Sequence, residues 1–204
     1  MHLFKAIRMR SLFYQRKQKQ RAFLLWQQKI LWPWTTLLEI WVWDGSFATF
    51  LKQHFGYSII WYDIQNLLSD QSSLEAYYVW WYETLETIFD NHALDGILIA
   101  YTLHHMSDVQ INNLLTMLGS HDLPICILEE TYKRNKWLVV LSDILSNIMQ
   151  YGLFSFNRKE YFKLNFKTTQ KRKELFENNW YTLSRSQKKI RYGYLHTVWF
   201  IITK

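Results

Sequence analysis

The chain has 204 residues, of which 49% are apolar and 18% aromatic, and it carries 24 Lys and Arg residues against 17 Asp and Glu residues. This composition excludes a disordered chain and predicts a globular protein of one domain that can bury a proper core. The single cysteine, Cys126, excludes a disulfide scaffold and suits a reducing, cytoplasmic location. No apolar run approaches a length of about 18 residues, so we expect no transmembrane segment.

The positive charge is concentrated at the two ends of the chain. Residues 1–31 carry eight basic and no acidic side chains, residues 32–156 carry four basic and fourteen acidic ones, and residues 157–204 carry twelve basic and three acidic ones. A solvated helix that covers the domain, a targeting segment, or a surface for an anionic partner would each account for the first segment. We therefore predict a basic N-terminal helical segment over residues 1–31 and a domain over residues 32–204.

From residue 35 onward, short runs of β-forming residues alternate with helix-like stretches. We predict strands near 36–42, 57–62, 76–80, 95–101 and 123–129, and helices near 46–55, 64–75, 82–92, 107–119 and 134–150. A helix-like stretch at Gln170–Asn178 is followed by two strand-like runs without a helix between them, Tyr181–Lys189 and Leu195–Thr203, which predicts an antiparallel pair. The pattern predicts an α/β fold, a Rossmann-like three-layer sandwich with a mostly parallel seven-stranded sheet and an antiparallel C-terminal strand.

The segment after the first predicted strand has the spacing of a nucleotide-binding turn. With glycine in place of Trp41 and Trp43, residues 39–45 would form the pattern Glu-x-Gly-x-Gly-x-Gly, and a helix follows. Asp63 ends the second predicted strand about twenty residues later, where an acidic side chain can accept hydrogen bonds from both ribose hydroxyls. This arrangement resembles the cofactor turn of class I S-adenosylmethionine-dependent methyltransferases.

Other segments resemble the same family in order and spacing. Residues 94–108 look like its fourth strand followed by a Leu-His-His segment that lines the cofactor and substrate pocket, and residues 127–132 are similar to its fifth strand. Residues 176–181 resemble the Phe-x-x-x-Gly-Phe/Tyr entry to the sixth strand, with Trp180 at the glycine position, and residues 195–204 resemble the antiparallel seventh strand. The resemblance covers roughly residues 30–204.

The resemblance implies methyl transfer from S-adenosylmethionine to an acceptor oxygen, nitrogen or carbon, with a small molecule as the expected substrate. It implies a cofactor site formed by Glu39, Trp41, Trp43, Asp44, Gly45, Asp63, Ile64, Glu83 and Tyr101. No Asn-Pro-Pro-Tyr-like segment follows the fourth strand, which argues against base methylation. Two alternatives stay open: a catalytically dead protein of the same fold that only binds, and a nucleic-acid-directed enzyme that uses the basic ends.

Two adjacent histidines, His104 and His105, are the candidate catalytic residues. An imidazole that is neutral near physiological pH can remove a proton from a nucleophile. The structural alternative is that one histidine caps the helix predicted to begin near Ser107 while the other only shapes the pocket. The remaining histidines are scattered along the chain, so we predict no metal site.

Tryptophan occupies several positions where backbone geometry favours glycine. The chain has 6 glycines and 11 tryptophans, whereas average usage predicts roughly 14 glycines in a chain of this length. A tight turn against a ligand needs backbone angles and a close approach that a bulky side chain disfavours. We hypothesise that UGA codons that specify glycine were translated as tryptophan; the alternative is a pseudoenzyme whose pocket is plugged by aromatic side chains.

Overall fold

The computed structural model describes residues 35–40, 46–63, 76–79, 85–132, 136–137, 140–141, 164–185, 190–192 and 195–204. These residues fall into two compact units: the first runs to Asp95 and the second starts at Gly96. No helix among the described residues is long and apolar enough to cross a membrane. The predicted N-terminal helix and the predicted helix at 64–75 lie outside the described ranges.

The first unit contains three parallel strands, β1 (Thr36–Ile40), β2 (Ser58–Asp63) and β3 (Ala76–Val79), and two helices, α1 (Ser46–Phe55) and α2 (Leu85–Asn91). Strand β2 pairs with both β1 and β3, and Glu39 of β1 lies level with Trp61 of β2. Strand β1 is buried on both faces from residue 37 to residue 40, as expected for a parallel strand with an apolar sequence. The parallel register places the carboxyl ends of β1 and β2 at the same edge.

The second unit combines one parallel strand pair with an antiparallel C-terminal strand. Its strands are β4 (Gly96–Ala100), β5 (Ile125–Thr131), β6 (Thr182–Arg185), β7 (Ile190–Tyr192) and β8 (Leu195–Thr203), and its helices are α3 (Asp108–Leu118) and α4 (Thr169–Asn178). Strands β4 and β5 are parallel, whereas β8 runs antiparallel to β5 on one side and to β6 and β7 on the other. Cys126 of β5 is fully buried, and this burial raises the pKa of its thiol to about 12.

The observed elements confirm the predicted fold class, a mostly parallel Rossmann-like α/β arrangement with an antiparallel C-terminal strand. Helix α1 and strand β8 have the predicted bounds, and the ends of the other described elements lie within four residues of the predicted ends. Within the described residues, the short strand β7 adds to the seven predicted strands. It forms because β8 is nine residues long and offers a free length of backbone beyond its pairing with β6.

Helix α4 ends in a motif that normally requires glycine. The N–H of Trp180 donates to the carbonyl of Glu177 (3.0 Å), and the N–H of Tyr181 donates to the carbonyl of Phe176 (3.1 Å). With Asn179 as the C-cap, these two bonds form a Schellman motif, in which the residue after the cap adopts a left-handed conformation. That residue is Trp180, with φ of 65° and 84% of its surface exposed. Position 180 therefore has the backbone of a glycine and gains little from its indole.

Replacement of Trp180 by glycine is expected to raise the free energy of unfolding by about 1 kcal/mol. Relief of the left-handed conformation contributes about 1–2 kcal/mol, and the extra freedom of glycine in the unfolded chain offsets about 0.4–1 kcal/mol of it. Chemical denaturation of the two chains measures the difference.

A second tryptophan provides the matched control. Trp137 lies in a helical stretch and is 64% exposed, so the same substitution there should lower the free energy of unfolding by about 0.5 kcal/mol. A loss of stability in Trp180→Gly equal to that in Trp137→Gly would contradict the assignment of a glycine conformation to position 180.

Candidate active site

The turn between β4 and α3, residues 101–106, carries both candidate catalytic histidines; we call it the histidine turn. It opens with Tyr101, a non-glycine residue with φ of 57°, and continues as one 3-10 turn over Leu103–His105. Thr102 stabilises this geometry, since its hydroxyl donates to the carbonyl of Ala100 (3.1 Å) and its own carbonyl accepts the N–H of His105 (2.9 Å). A bulky residue held in the left-handed region at a strand end is typical of functional sites.

Helix α3 begins immediately after the histidine turn, and Ser107 rather than a histidine caps it. The Ser107 hydroxyl accepts the N–H of Gln110 (3.3 Å), and the Gln110 side chain accepts the N–H of Ser107 (2.8 Å). This reciprocal capping box satisfies the first turn of the helix. The two histidines are therefore available for other contacts.

His104 forms a buried pair with Glu129 of β5. Its Nδ1 lies 2.7 Å from Glu129 Oε1, and its backbone N–H donates to Glu129 Oε2 over 3.1 Å. His104 is 3% exposed and Glu129 is 0% exposed. Because an ionised carboxylate only accepts hydrogen bonds, Nδ1 carries the proton in this arrangement. Both carboxylate oxygens of Glu129 thus accept hydrogen bonds from His104 of the histidine turn.

Arg172 of α4 provides the positive charge next to Glu129. Its Nη2 lies 4.0 Å from Glu129 Oε2 and donates to the carbonyl of Asn165 over 3.0 Å. Burial lowers the pKa of Arg172, whereas the negative charges of Glu129 and then of Asp108 oppose this shift. The guanidinium is 0% exposed, and its Nε and Nη1 have no hydrogen-bond partner among the described residues.

An extended segment, residues 164–168, lies against the histidine turn; we call it the strap. The N–H of Asn165 donates to the carbonyl of His104 (2.6 Å), and its side-chain amide donates to the Met106 carbonyl (3.0 Å) and to Asp108 (2.7 Å). The ring of Phe166 stacks on that of His104, with centroids 4.5 Å apart and planes inclined by 12°. The strap therefore shields His104 from solvent.

The strap is fixed at its outer side by an ion pair between Lys167 and Asp108, whose Nζ and Oδ2 are 2.9 Å apart. The hydrogen bond from Lys167 lowers the pKa of Asp108, and the bond from Asn165 contributes further. The pair is solvent-exposed on the aspartate side, so its contribution to stability is small. Its role in the geometry is to hold the strap at the start of α3.

The two histidines differ in accessibility. His105 is exposed, and the centroids of the two imidazole rings are 4.1 Å apart. Desolvation by the surrounding protein lowers the pKa of His105, and His104 lowers it further, against the opposing effect of Glu129. His105 is therefore neutral at physiological pH and exposed, whereas His104 is enclosed.

Two of the three described residues that are predicted to bind the cofactor, Glu39 and Asp63, lie in the first unit. Glu39 is 3% exposed near the carboxyl end of β1, and Asp63 is the last residue of β2. Because Glu39 is level with Trp61, Asp63 lies two register positions beyond Glu39, at the carboxyl end of β2. The predicted cofactor residues that lie outside the described residues are Trp41, Trp43, Asp44, Gly45, Ile64 and Glu83. Tyr101 belongs to the second unit, in the histidine turn.

The described tryptophans differ in how well their surroundings accommodate an indole. Trp199 of β8 is buried, as its apolar sequence context predicts. Trp61 of β2 is 1% exposed, and its indole nitrogen has no hydrogen-bond partner among the described residues. Trp180 has the glycine backbone discussed above. The positions at which tryptophan would obstruct a cofactor turn, 41 and 43, lie outside the described residues.

Sequence reasoning missed the contributions of Glu129, Arg172 and Asn165. The sequence places Glu129 at the end of the predicted fifth strand without indicating a partner, whereas in the structure the carboxylate is buried against His104. The sequence of α4 does indicate that Arg172 is buried, because Arg172 and Phe176 are four residues apart and therefore share one helix face, which is the buried one. Among the described residues, no group of three potential ligands could hold a metal ion.

No protein-family model matches the sequence, and a search of curated proteins gives no match. Comparison with solved structures shows similarity to methyltransferases. Magnesium protoporphyrin IX methyltransferase from Synechocystis PCC 6803, solved with bound SAH, has a TM-score of 0.57 and 13% identity over 100% of this chain and 88% of that chain.

Two further solved structures have the same fold. An O-methyltransferase family protein from Burkholderia thailandensis has a TM-score of 0.58 and 11% identity, covering 96% of this chain and 59% of that one. Mitomycin 7-O-methyltransferase has a TM-score of 0.56 and 13% identity, covering 85% of this chain and 50% of that one. The chain thus spans between half and three fifths of these two proteins, and at these identities the similarity establishes the fold.

Proposed function

We propose that this chain is an S-adenosylmethionine-dependent methyltransferase that acts on an oxygen atom of a small-molecule acceptor. The observation that carries the proposal is an exposed, neutral His105 beside a buried His104–Glu129 pair, at the carboxyl end of a strand in a methyltransferase-like fold. Ligands of open α/β sheets bind at this edge. A small acceptor oxygen is in keeping with the O-methyltransferases among the solved neighbours.

The chemistry of the residues on β1 and β2 fits the proposed cofactor. Glu39 lies buried near the carboxyl end of β1, and its carboxylate would accept hydrogen bonds from the ammonium group at the methionine end of S-adenosylmethionine. Asp63, two register positions beyond Glu39, would accept the ribose hydroxyls. We propose that the remaining contacts come from positions 41 and 43 and from Asp44, Gly45, Ile64, Glu83 and Tyr101.

We propose that positions 41 and 43, like position 180, are glycines in the functional protein. Trp180 has a left-handed backbone in a motif that favours glycine, and this supports the proposal at one of the three positions. The coding DNA provides a direct test, because UGA codons at 41, 43 and 180 support the proposal and UGG codons would end it.

The bound cofactor supplies a methyl group on a sulfonium, which is an intrinsically good electrophile. The chain's own residues then have three tasks: to align the acceptor oxygen, to exclude water and to remove the acceptor's proton. Because His105 is exposed and neutral, we propose that its imidazole would take the proton of the acceptor hydroxyl when the acceptor is methylated, and would later release it to solvent. His104 is too enclosed for contact with substrate and acts as a positioning residue.

A calorimetric titration tests cofactor binding. The chain with Trp41→Gly and Trp43→Gly is expected to bind S-adenosylmethionine, and a further Asp63→Ala substitution should weaken binding about 10-fold or more because charge-assisted hydrogen bonds are lost. Asp90→Ala, which removes an exposed acidic residue of α2, is the matched control and should leave binding unchanged.

Absence of binding by the glycine-containing chain would contradict the proposal and favour a binding protein without the cofactor.

A second measurement addresses the acceptor. A panel of phenols and carboxylic acids, assayed by release of S-adenosylhomocysteine, should contain methylated members. Methylation of nucleic acid with a steep salt dependence, and of none of the small molecules, would instead favour the use of the basic ends.

A further inference from the structure

Three ionisable side chains meet in the interior of the second unit: Arg172, Glu129 and His104. Their exposed fractions are 0%, 0% and 3%. Glu129 lies between the other two, 2.7 Å from His104 Nδ1 and 4.0 Å from Arg172 Nη2. We call this group the buried triad. Charges in such a setting persist only if they compensate each other.

The charges of the buried triad balance only if His104 is neutral. Arg172 contributes one positive charge and Glu129 one negative charge, so a protonated His104 would leave an uncompensated buried cation. Three described neighbours that carry or can carry a charge, Asp108, Lys167 and His105, leave this count unchanged. Asp108 and Lys167 form their own ion pair (2.9 Å) on α3 and the strap, and His105 is neutral at physiological pH, since its pKa is lowered.

Arg172 is also linked to the histidine turn by a second route. Its Nη2 donates to the carbonyl of Asn165, and the N–H of Asn165 donates to the carbonyl of His104. The guanidinium therefore contacts the turn through the carboxylate on one side and through the strap on the other. This double connection distinguishes Arg172 from the exposed cations of the same helix, such as Lys171.

We propose that Arg172 is a positioning residue that keeps His104 neutral and in its Nδ1–H form by balancing the charge of Glu129. The charge state is a property of the folded chain and needs no cofactor. Its consequence for methyl transfer rests on the proposed function: a neutral His104 places no cation 4.1 Å from the ring of His105, which must accept a proton.

The test uses the full chain labelled with ¹⁵N, and long-range ¹H–¹⁵N spectra of the histidine rings report both charge and tautomer. In the wild type, we expect His104 at pH 7 to be neutral with its proton on Nδ1. In Arg172→Met, the triad carries one negative charge, and His104 should take up a proton and become an imidazolium. Arg172→Lys retains the charge and should restore the neutral ring.

Removal of the opposite charge should have a different result. In Glu129→Gln, His104 stays neutral but loses the carboxylate that fixes the proton on Nδ1, so both tautomers should be populated. The double variant Arg172→Met/Glu129→Gln removes both charges and should again contain a neutral His104. Lys171→Met, which removes an exposed cation of α4, is the matched control and should give the wild-type spectrum.

An imidazolium at His104 in the wild type, or the same neutral ring in folded Arg172→Met, would overturn the proposal. If Arg172→Met does not fold, the spectra of the wild type, Arg172→Lys and Glu129→Gln test the proposal instead. A His104 ring that keeps its proton on Nδ1 in Glu129→Gln would also contradict the proposal. These spectra do not depend on S-adenosylmethionine. If the chain gives the expected spectra but does not bind the cofactor, the inference about Arg172 is supported and the proposed function is contradicted.

Discussion

Replacement of Glu129 by alanine is expected to lower the free energy of unfolding by about 3–5 kcal/mol, the usual consequence of breaking a buried ion pair. The carboxylate accepts from both the Nδ1 and the backbone N–H of His104 and faces Arg172, and all three groups are enclosed. Without it, a buried guanidinium and two buried donors remain. Urea denaturation followed by circular dichroism measures the loss.

Two further variants separate the effect of removing the buried charge of Glu129 from the effect of removing any glutamate side chain. Glu174→Ala removes an exposed carboxylate of α4 that accepts a hydrogen bond from the side chain of Gln170 (3.1 Å), and should change the stability by less than about 0.5 kcal/mol. Glu129→Gln keeps one acceptor oxygen and should fall between the two. Equal stabilities of Glu129→Ala and Glu174→Ala would mean that the buried triad contributes nothing to the fold.

Replacement of His105 by glutamine is expected to lower the rate of methyl transfer to a phenolic acceptor by about 100-fold or more, the usual contribution of a general base. Glutamine keeps a polar side chain of comparable reach but cannot take up a proton near neutral pH. The cofactor affinity should stay the same, since the proposed cofactor contacts remain. Initial rates at saturating S-adenosylmethionine, with an acceptor identified in the panel, measure the effect.

The pH profile provides an independent check of the role of His105. Because its pKa lies below its ordinary value, the neutral, active form persists as the pH falls below about 6.5, the unperturbed value for histidine. The wild-type rate should therefore stay high at pH 6, where an ordinary histidine base would lose activity. His121→Gln, in the short 3-10 turn that follows α3 and remote in sequence from the histidine turn, is the control. A full rate in His105→Gln would assign the proton transfer to another group.

The strands and the order of the elements could be predicted because local signals determine them. The run Ile97–Ile99 and the run Ile125–Leu128 are apolar on both faces, as buried parallel strands require. Helix α3 begins at a Ser-x-x-Gln capping box that is visible in the sequence. For Trp180, the resemblance of residues 176–181 to the Phe-x-x-x-Gly-Phe/Tyr segment of methyltransferases implied a glycine position, and the backbone adopts the left-handed conformation that glycine favours.

The contacts of the histidine turn could not be predicted in the same way. The sequence identified His104 and His105 as a pair, but a pattern of residue types does not tell which of two adjacent side chains is enclosed. The answer depends on Phe166 and Asn165, about 60 residues later in the chain, which stack on and hydrogen-bond to His104. Strand and turn geometry, not proximity in sequence, decides which imidazole reaches solvent.

The sequence by itself determined the alternating α/β architecture, the acidic ends of the first two strands and the location of the histidines, because periodicity and spacing act over a few residues. Only the tertiary structure decided that Glu129 and Arg172 are buried partners of His104. Glu129 lies on a strand and Arg172 on a helix, and the two residues are 43 positions apart in the sequence. Compensation of buried charge is a property of groups that meet in space, so it appears once the chain has folded and not before.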